Sequence, residues 1–308
     1  MSHPILITGA AGGTQGSTGR LVAGLLLKQG IPVSAFVHRL DARSEELRRQ
    51  GAEIIEGDLL SPVSIQTALK DVKRAYFTYP VTAGLLEAAT IFAATARDER
   101  LELVVNNSQF QGLPGEPRFR DLQRAASFRN FQHLLADRIF DWAQIGAVHL
   151  QTPPYFENVR ALVSQSVASH DSAFLPWGNG SAVFPLTGAG DVAAVAATLL
   201  ASSGLPSQSV YPLVTETPTV HEIIETLGRA IGRPIRYVPI TDEQWVEAVK
   251  DRINPHALDH LSHLRQFFRR NQERRQSTDI VCKAIGRKPQ TLEDFFRANA
   301  NSFASVMR

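Results

Sequence analysis

The chain has 308 residues, which at roughly 150 residues per domain predicts two domains or one large α/β unit with an accessory lobe, and excludes a small scaffold held by disulfides or metal. Hydrophobic residues make up 44% and charged residues 20%, so the composition is that of a globular protein rather than a disordered one. The net charge of +2 is too small to predict nucleic acid or an acidic membrane surface as an obligatory partner. The single cysteine, Cys282, excludes an intramolecular disulfide and fits a reducing compartment, so we expect a cytoplasmic protein.

The N-terminus leads into a strand-like run rather than a targeting segment. Residues 5–7 are apolar, and the residues before them show no basic region, long apolar stretch or cleavage site. The most apolar later stretches, residues 21–27 and 192–201, are well short of the roughly 20 residues that cross a bilayer. We therefore expect no membrane span.

Short β-branched runs alternate with amphipathic segments of helical length from residue 4 to about residue 150, as is typical of parallel βαβ units. Ser61 before Pro62 predicts a helix start, and Gly30 predicts a helix stop. The predicted strands are residues 4–8, 33–37, 53–56, 74–78, 101–106 and 147–150. Six such strands predict an α/β fold with a doubly wound parallel sheet.

Beyond residue 150 the chain becomes rich in proline and glycine, which predicts a smaller C-terminal α+β lobe. Thr219 and Glu222 form a capping-box pattern for a helix over residues 221–231, and a strand-like run follows it. The predicted domains are residues 1–155 and 156–308, with a return of the chain to the first domain around residues 184–215.

A basic run over residues 265–275 contains Phe267 and Phe268, a combination that also occurs in nucleic-acid-binding segments. We interpret it as a solvated helix face with both aromatic rings pointing inward. No nucleic-acid partner is expected.

A glycine-rich loop follows the first predicted strand and opens the first predicted helix. Glycines at this position allow a tight turn and a close approach of backbone N–H groups to a pyrophosphate, which then lies at the positive end of the helix dipole. Its candidate cofactor-binding residues are Gly9, Gly12, Gly16, Ser17, Thr18 and Gly19. We expect a side chain at Gly12 or Gly19 to block cofactor binding without unfolding the protein.

The tip of the second predicted strand lacks the acidic residue that accepts a hydrogen bond from the ribose of NAD. His38 and Arg39 stand there, Asp41 falls later in the loop, and Arg43 is close by. The two arginines can pair with a 2′-phosphate, which favours NADP(H) over NAD(H), or they can be ordinary solvated charges.

Further motifs follow the later predicted strands. They are Gly57-Asp58-Leu59 before Ser61-Pro62, Thr78-Tyr79-Pro80, Thr152-Pro153-Pro154-Tyr155-Phe156-Glu157-Asn158, Asp191-Val192-Ala193 and Gly232-Arg233-Pro234. Together with the glycine-rich loop, they resemble the NmrA-like branch of the atypical short-chain dehydrogenases/reductases over nearly the whole chain.

This resemblance implies an NAD(P)-binding Rossmann fold and assigns roles to individual residues. It implies that Asp58 and Leu59 lie near the adenine and that Phe156 closes over the nicotinamide end. The residues that it places around the ribose and the nicotinamide are Thr78, Tyr79, Pro80, Asn107 and Ser108.

The chain departs from the family pattern in the loop, which is about four residues longer than the usual form. We match Gly9, Gly12 and Gly19 to the family glycines, and Gly13, Gly16 and Gly19 form the competing register.

A second departure is the absence of the Tyr-x-x-x-Lys pair from the predicted helix 128–142, where His133 and Asp137 stand at the matching positions. One helical turn apart, they share a face, and the carboxylate is expected to raise the pKa of the histidine and make it a proton donor. The alternatives are a surface histidine beside a solvated aspartate, or proton donation from Tyr79, Ser108 or solvent.

The sequence suggests no metal site and no serine nucleophile elbow, so metal and hydrolytic chemistry are disfavoured. Two hypotheses remain. The first is an NADPH-dependent oxidoreductase that passes hydride to a small, apolar or aromatic molecule such as a quinone, enone, imine or carbonyl compound. The second is a non-catalytic NADP(H)-sensing regulator with a protein partner. Candidate acceptor-pocket residues are Tyr79, Phe110, Tyr155, Phe156, Phe174 and Trp177.

Overall fold

The computed structural model describes residues 3–13, 16–110, 128–270 and 277–304. The first part of the chain consists of β1 (Ile5–Ile7), α1 (Thr18–Lys28), β2 (Val33–Val37), α2 (Ala42–Arg49), β3 (Glu53–Glu56), α3 (Pro62–Leu69), β4 (Arg74–Phe77), α4 (Leu85–Asp98), β5 (Leu103–Gln109), α5 (Phe128–Ala143) and β6 (Ala147–Thr152). The second part consists of α6 (Phe156–His170), β7 (Ser172–Leu175), α7 (Ala189–Ala201), β8 (Val210–Pro212), α8 (Val220–Ile231), β9 (Arg236–Pro239), α9 (Asp242–Val249), α10 (Pro255–Arg270), α11 (Ile280–Ile285), α12 (Leu292–Ala298) and a final 3-10 turn (Ala300–Phe303).

Seven parallel strands form the main sheet in the order β3-β2-β1-β4-β5-β6-β8. β1 pairs with β2 on one side and with β4 on the other, with Ile5 opposite Val33 and Arg74. The chain therefore reverses direction across the sheet at β1, as in a doubly wound Rossmann fold. The predicted fold class is confirmed, and all six predicted strands are present, although β5 and β6 extend further than predicted. The seventh strand, β8, was missed.

Helices cover both faces of this sheet, and each face has its own apolar core. One core joins β1 to α1, α7 and α11, and the other joins β4 to α3, α4 and α5. In the second core Phe77, Phe92 and Phe140 pack with ring centroids 5.0–6.2 Å apart. Because both faces are covered, the central strands β1, β2 and β4 are buried along nearly their whole length rather than at alternate residues, as expected for a parallel sheet.

The chain after β6 builds a lobe and also returns to the sheet. β7 and β9 pair in parallel in a separate two-stranded sheet, and their side chains share a third core with α6, α8 and α12. Between these elements, α7 packs on α1, and β8 extends the main sheet beside β6. The boundary at residue 155 stays a prediction.

The predicted helix signals act as hydrogen-bonding caps. Ser61 Oγ accepts a hydrogen bond from Ser64 N at 3.3 Å, and Thr219 and Glu222 form a reciprocal capping box at the start of α8.

The prediction that the basic face of α10 is solvated is wrong at Arg265, which is 5% exposed and stacked on Trp245. The orientation predicted for Phe267 and Phe268, like loop residues 14 and 15, lies outside the described residues. In the part of the chain that the structure describes, no helix is long and apolar enough to cross a membrane.

The close packing of α1 on β1 gives a first prediction. A Cβ atom at Gly19 would lie 2.5 Å from Thr8 O and 2.7 Å from Gly9 O, so Gly19→Ala must push the helix off the strand. We expect Gly19→Ala to lower the free energy of unfolding by about 1–3 kcal/mol, measured by chemical denaturation. This corrects the expectation that a side chain at Gly19 spares the fold.

Gly24→Ala is the matched control in the same helix. Nothing lies within 4 Å of its added Cβ, so helix propensity predicts a stabilisation of up to about 1 kcal/mol. Equal stability of the two variants would contradict this account of Gly19.

Candidate functional site

A cavity of about 1140 Å³ opens between the carboxyl edge of the main sheet and the lobe. Its walls come from the end of β5 and from the turns after the other strands from β1 to β6 on one side, and from α5, α6, α9 and α10 on the other. Single small-molecule sites are typically about 300–1,000 Å³, so this cavity has room for a dinucleotide and part of a second molecule. It lies at the topological switch point, where doubly wound sheets bind their ligands.

The start of α1 faces this cavity without a side-chain cap. Ser17, its N-cap residue, uses its hydroxyl to donate to Gly13 O at 2.6 Å and to accept from Gly13 N at 3.1 Å, and the first turn has no acidic residue. Gly12 has a φ of +77°, which favours glycine, and lines the cavity beside Gly13, whose Cβ position is open. The first N–H groups of the helix therefore remain for an anion, and these residues fit a bound pyrophosphate.

The cavity wall contains all the predicted cofactor residues except two. Gly16 lies under the ring of Tyr155, where an added Cβ would be 2.7 Å from the ring, and Phe156 is buried in the lobe core against Phe295. The predicted closure of Phe156 over the nicotinamide end is therefore wrong. The predicted residues that line the cavity are Gly9, Gly12, Ser17, Thr18, Gly19, His38, Arg39, Arg43, Asp58, Leu59, Thr78, Tyr79, Pro80, Asn107 and Ser108.

Asp41, in the loop after β2, is a helix cap. Its carboxylate accepts from Arg43 N at 2.8 Å and Ser44 N at 3.2 Å, and it also holds the Arg43 guanidinium through Nε at 2.9 Å. The hydrogen bond from that guanidinium is the main reason why the pKa of Asp41 is lowered to about 2. Desolvation partly opposes this shift, and the backbone hydrogen bonds add to it. Arg43 Nη1 in turn donates to Gly12 O at 3.2 Å. The Asp41 carboxylate is thus engaged, while exposed Arg39 lines the same end of the cavity.

The amide of Asn107 connects the elements that meet beneath the cavity. Its Nδ2 donates to Thr18 Oγ1 at 3.4 Å and to Thr78 Oγ1 at 3.3 Å, and its Oδ1 accepts from Tyr155 OH at 3.2 Å. Tyr76 OH donates to the same Thr18 hydroxyl at 2.9 Å. β4, β5, α1 and the start of α6 are thereby held in one arrangement.

The predicted couple of His133 and Asp137 is wrong. Asp137 is 5% exposed, and its two oxygens accept from Ser108 Oγ and Asn106 Nδ2, each at 2.8 Å. These bonds turn the carboxylate towards β5 and β6, and His133 lines the cavity while Asp137 does not. Helical spacing predicted a shared face, but partners on the neighbouring strands determine where Asp137 points.

The protonation predicted for His133 is also reversed. Burial, then the charges of Arg129 and His260, lower the pKa of His133 well below its usual value. The imidazole is therefore neutral near pH 7 and is not an imidazolium donor.

His149, on β6, is charged at neutral pH, and no sequence motif marks it as a site residue. His149 Nδ1 lies 3.3 Å from Asp137 Oδ1, and Nε2 lies 3.0 Å from Asp141 Oδ1. Burial opposes protonation of His149, but the charges and hydrogen bonds of the two carboxylates outweigh it and raise its pKa to about 9. A connected polar chain thus runs from Ser108 at the cavity to Asp141, whose side chain is 37% exposed.

Arg129 at the start of α5 is another residue that the sequence did not reveal. Its side chain is 2% exposed and donates to Thr82 O at 2.9 Å and to Pro80 O at 2.7 Å. Burial lowers the pKa of Arg129 to about 10, so it is still charged at neutral pH.

The adjacent Tyr79 donates a hydrogen bond from its hydroxyl to Ala83 O at 2.8 Å, and burial raises the pKa of that phenol. Tyr79 is therefore a weaker acid than an exposed tyrosine.

The lobe end of the cavity is mainly apolar and aromatic. Of the predicted acceptor-pocket residues, Tyr79, Tyr155 and Trp177 line it, whereas Phe110 and Phe174 do not. The lobe adds wall residues that were not predicted, namely Val159, Leu162, Phe184, Leu186, Trp245, Asn254, His260, Leu261, Leu264 and Arg265.

Among the described residues, no three His, Cys, Asp or Glu side chains are grouped to hold a metal ion.

The charge on His149 predicts a pH dependence of stability. Its pKa is about 9 in the folded protein and about 6.5 in an unfolded chain, so its contribution is complete below about pH 6.5 and is lost as the pH rises through 9. We expect the unfolding free energy of the wild type to fall by about 3 kcal/mol over this range, as measured by denaturant titrations between pH 6 and 10. His149→Gln should lack this fall. His263→Gln, which removes an exposed imidazole, should keep it, and identical slopes for wild type and His149→Gln would contradict the assignment.

Comparison with known proteins agrees with this geometry. A sequence model described as NAD(P)H-binding matches residues 13–168. An NAD(P)H azoreductase from Xenophilus azovorans is 25% identical over 296 residues, which cover 96% of this chain and 98% of the azoreductase.

Two solved structures have the same fold. The NADPH-dependent quinone oxidoreductase of Escherichia coli in complex with NADPH has a TM-score of 0.78, 18% identity, and coverage of 96% of this chain and 99% of its own. The negative transcriptional regulator NmrA in complex with NADP has a TM-score of 0.77, 15% identity, and coverage of 96% and 95%. The chain therefore belongs to the NAD(P)H-binding family, in agreement with its resemblance to the NmrA-like short-chain dehydrogenases/reductases.

Proposed function

We propose that this protein is an NADPH-dependent reductase of a small, apolar or aromatic acceptor such as a quinone, enone, imine or carbonyl compound. The observation that carries the proposal is the continuity of one cavity, from the uncapped start of α1 to the aromatic wall of the lobe. The names of the azoreductase and quinone oxidoreductase to which the chain is similar favour acceptors of this kind. The single exposed cysteine, Cys282, is compatible with the cytoplasmic location that we propose.

In this proposal the sheet domain, residues 1–155 with the return at 184–215, holds the cofactor, and the lobe covers the acceptor. The backbone of Gly12 and the start of α1 bind the pyrophosphate, and the turn after β4 and the end of β5 bind the ribose and the nicotinamide. When bound, the cofactor supplies the hydride. The protein orients the two molecules and excludes water.

The preference for NADPH follows from the charges at the tip of β2. Asp41, the acidic residue nearest the tip, already accepts from the start of α2 and from Arg43. Arg39 and Arg43 line this end of the cavity, where a 2′-phosphate can accept charge-assisted hydrogen bonds. A ribose 2′-hydroxyl offers no negative charge to these guanidinium groups.

The proton that accompanies the hydride has a route through Ser108. Ser108 Oγ lines the cavity and bonds to Asp137, behind which lie charged His149 and partly exposed Asp141. When Ser108 gives its proton to the reduced acceptor, charged His149 supplies the replacement. Its proton passes to the Asp137 carboxylate and from there to Ser108 Oγ, which leaves His149 neutral until solvent reprotonates it. Neutral His133 is left as a hydrogen-bonding wall residue.

The proposed activity is tested directly by NADPH oxidation with menadione, an azo dye, an enone, an imine and an aldehyde as acceptors. We expect turnover of at least one of them, with NADPH preferred to NADH. No turnover of any acceptor, with tight NADPH binding, would contradict the reductase.

The cofactor preference has its own test in binding titrations. Because a charge-assisted hydrogen bond contributes about 1.5–3 kcal/mol, we expect NADPH to bind at least about tenfold more tightly than NADH, and Arg39→Ala to remove most of this difference. Arg49→Ala, which removes an exposed arginine from the far end of α2, is the control and should change nothing. Equal affinities of the wild type for the two cofactors would overturn the preference.

The proton route predicts a specific effect of Ser108→Ala. Loss of proton delivery should lower kcat by about 10²-fold, at the lower end of the usual range for general acid catalysis, while the Kd for NADPH changes little. Ser166→Ala, a matched change in α6 outside the cavity, should leave both constants unaltered. If Ser108 only positions the cofactor, the Kd rises and kcat stays within threefold of the wild type, which would reject the route.

A regulator that senses NADP(H) is the second candidate. It is favoured by the likeness to NmrA and by the absence of a tyrosine and a lysine from the part of α5 that matches the Tyr-x-x-x-Lys pair. It predicts cofactor binding without turnover, which the acceptor panel distinguishes from the reductase.

A further inference from the structure

Within the described residues, the lobe end of the cavity carries positive charge without lining carboxylates. Arg129 and Arg265 both line it, together with His133 and His260. Among the described residues, the acidic residues in the cavity wall are Asp41 and Asp58, and both lie at the opposite end, after β2 and β3. From the part of the chain that the structure describes, a ligand that enters the lobe end therefore meets two guanidinium groups and no lining acidic side chain.

Arg129 is held by neutral partners. Its terminal nitrogens donate to backbone carbonyls of the turn after β4, and the Nε atom is buried with no hydrogen-bond partner among the described residues. A buried guanidinium without a carboxylate is costly, because hydration is lost and no opposite charge replaces it. Burial lowers the pKa values of His133, His256 and His260, and the Arg129 charge lowers them further.

Arg265 presents a second cationic group from α10. Its guanidinium lies 3.8 Å from the centre of the Trp245 ring, and its Nε donates to Asp242 Oδ1 at 3.2 Å. Asp242 also binds Arg269, so one carboxylate serves two guanidinium groups. Arg265 is 5% exposed, and its Nη1 atom has no hydrogen-bond partner in the described part of the chain.

We propose that the lobe end of the cavity is an anion subsite, which binds the carboxylate, sulfonate or phenolate group of an aromatic acceptor through Arg129 and Arg265. The inference rests on the proposed reductase function and specifies its substrate class. The two guanidinium groups in the wall supply positive charge for the anion, and Trp177 and Trp245 supply apolar surface for its ring. A carboxylate here offsets a positive charge that a neutral acceptor leaves uncompensated.

The test is a calorimetric titration of the full-length protein with 2-naphthoate and with 2-naphthamide, which has a similar shape and no charge. Saturating NADP⁺ is present, so that the start of α1 is already occupied by phosphate. We expect 2-naphthoate to bind about ten- to a hundredfold more tightly than 2-naphthamide. Equal affinities would overturn the proposal.

Matched variants locate the charge that is responsible. Arg129→Gln and Arg265→Gln should each reduce the naphthoate preference at least fivefold. Arg252→Gln removes an exposed lobe arginine that does not line the cavity and should leave the preference intact. A preference that survives in both cavity variants would overturn the proposal, and Arg265→Gln decides the question if Arg129→Gln fails to fold. A role of Arg129 limited to holding the turn would lower affinity for both ligands equally.

Failure of the subsite and failure of the reductase have different signatures. The titration requires no turnover, so a naphthoate preference in a protein that reduces no acceptor would refute the reductase and leave the anion subsite standing. Reduction of neutral menadione without any naphthoate preference would leave the reductase standing and refute the subsite.

Discussion

The approach of α1 to the carboxyl end of β1 is the constraint on which the site depends. Only a residue without a side chain allows the helix to lie this close, and Gly19 occupies that position. Thr18 then accepts from Tyr76 and Asn107, which fixes the first turn of α1 to β4 and β5. The unsatisfied N–H groups of the helix are therefore positioned by packing and by buried hydrogen bonds, rather than by the loop alone.

The sheet was predictable because its signals are local. Each of the first six strands is a short apolar run flanked by turn residues, and caps such as Ser61 mark the helices between them. β8 was missed because it has three residues, Val210–Pro212, and ends on a proline, so nothing in the sequence distinguishes it from a loop. It becomes a strand because β6 offers an unpaired edge. Burial of Arg265 was missed for a similar reason, since its partners Asp242 and Trp245 belong to another helix.

Most of the predicted cofactor residues line the cavity, because they lie at or after the ends of strands whose order along the chain is regular. The polar chain behind Ser108 was not predictable in this way, since it joins β5, α5 and β6 through Asp137 and His149. His149 lies within a strand and is 1% exposed, a setting in which a histidine is ordinarily a packing residue. Helical spacing paired Asp137 with His133, but hydrogen bonds from neighbouring strands stabilise a different orientation.

The two ends of the cavity use positive charge in physically different ways. At the end where we propose that the adenosine binds, Arg43 is exposed and paired with Asp41, so its charge is screened by solvent. At the lobe end, Arg129 is buried, and the burial of His133 and His260 together with the Arg129 charge keeps both imidazoles neutral. Those imidazoles can then exchange hydrogen bonds with an acceptor but are poor sources of a proton. The proposed proton route therefore runs through Ser108, on the sheet side of the cavity, where the nearby carboxylates keep His149 charged. In the proposed reductase, charge for binding and protons for chemistry come from opposite walls of one cavity.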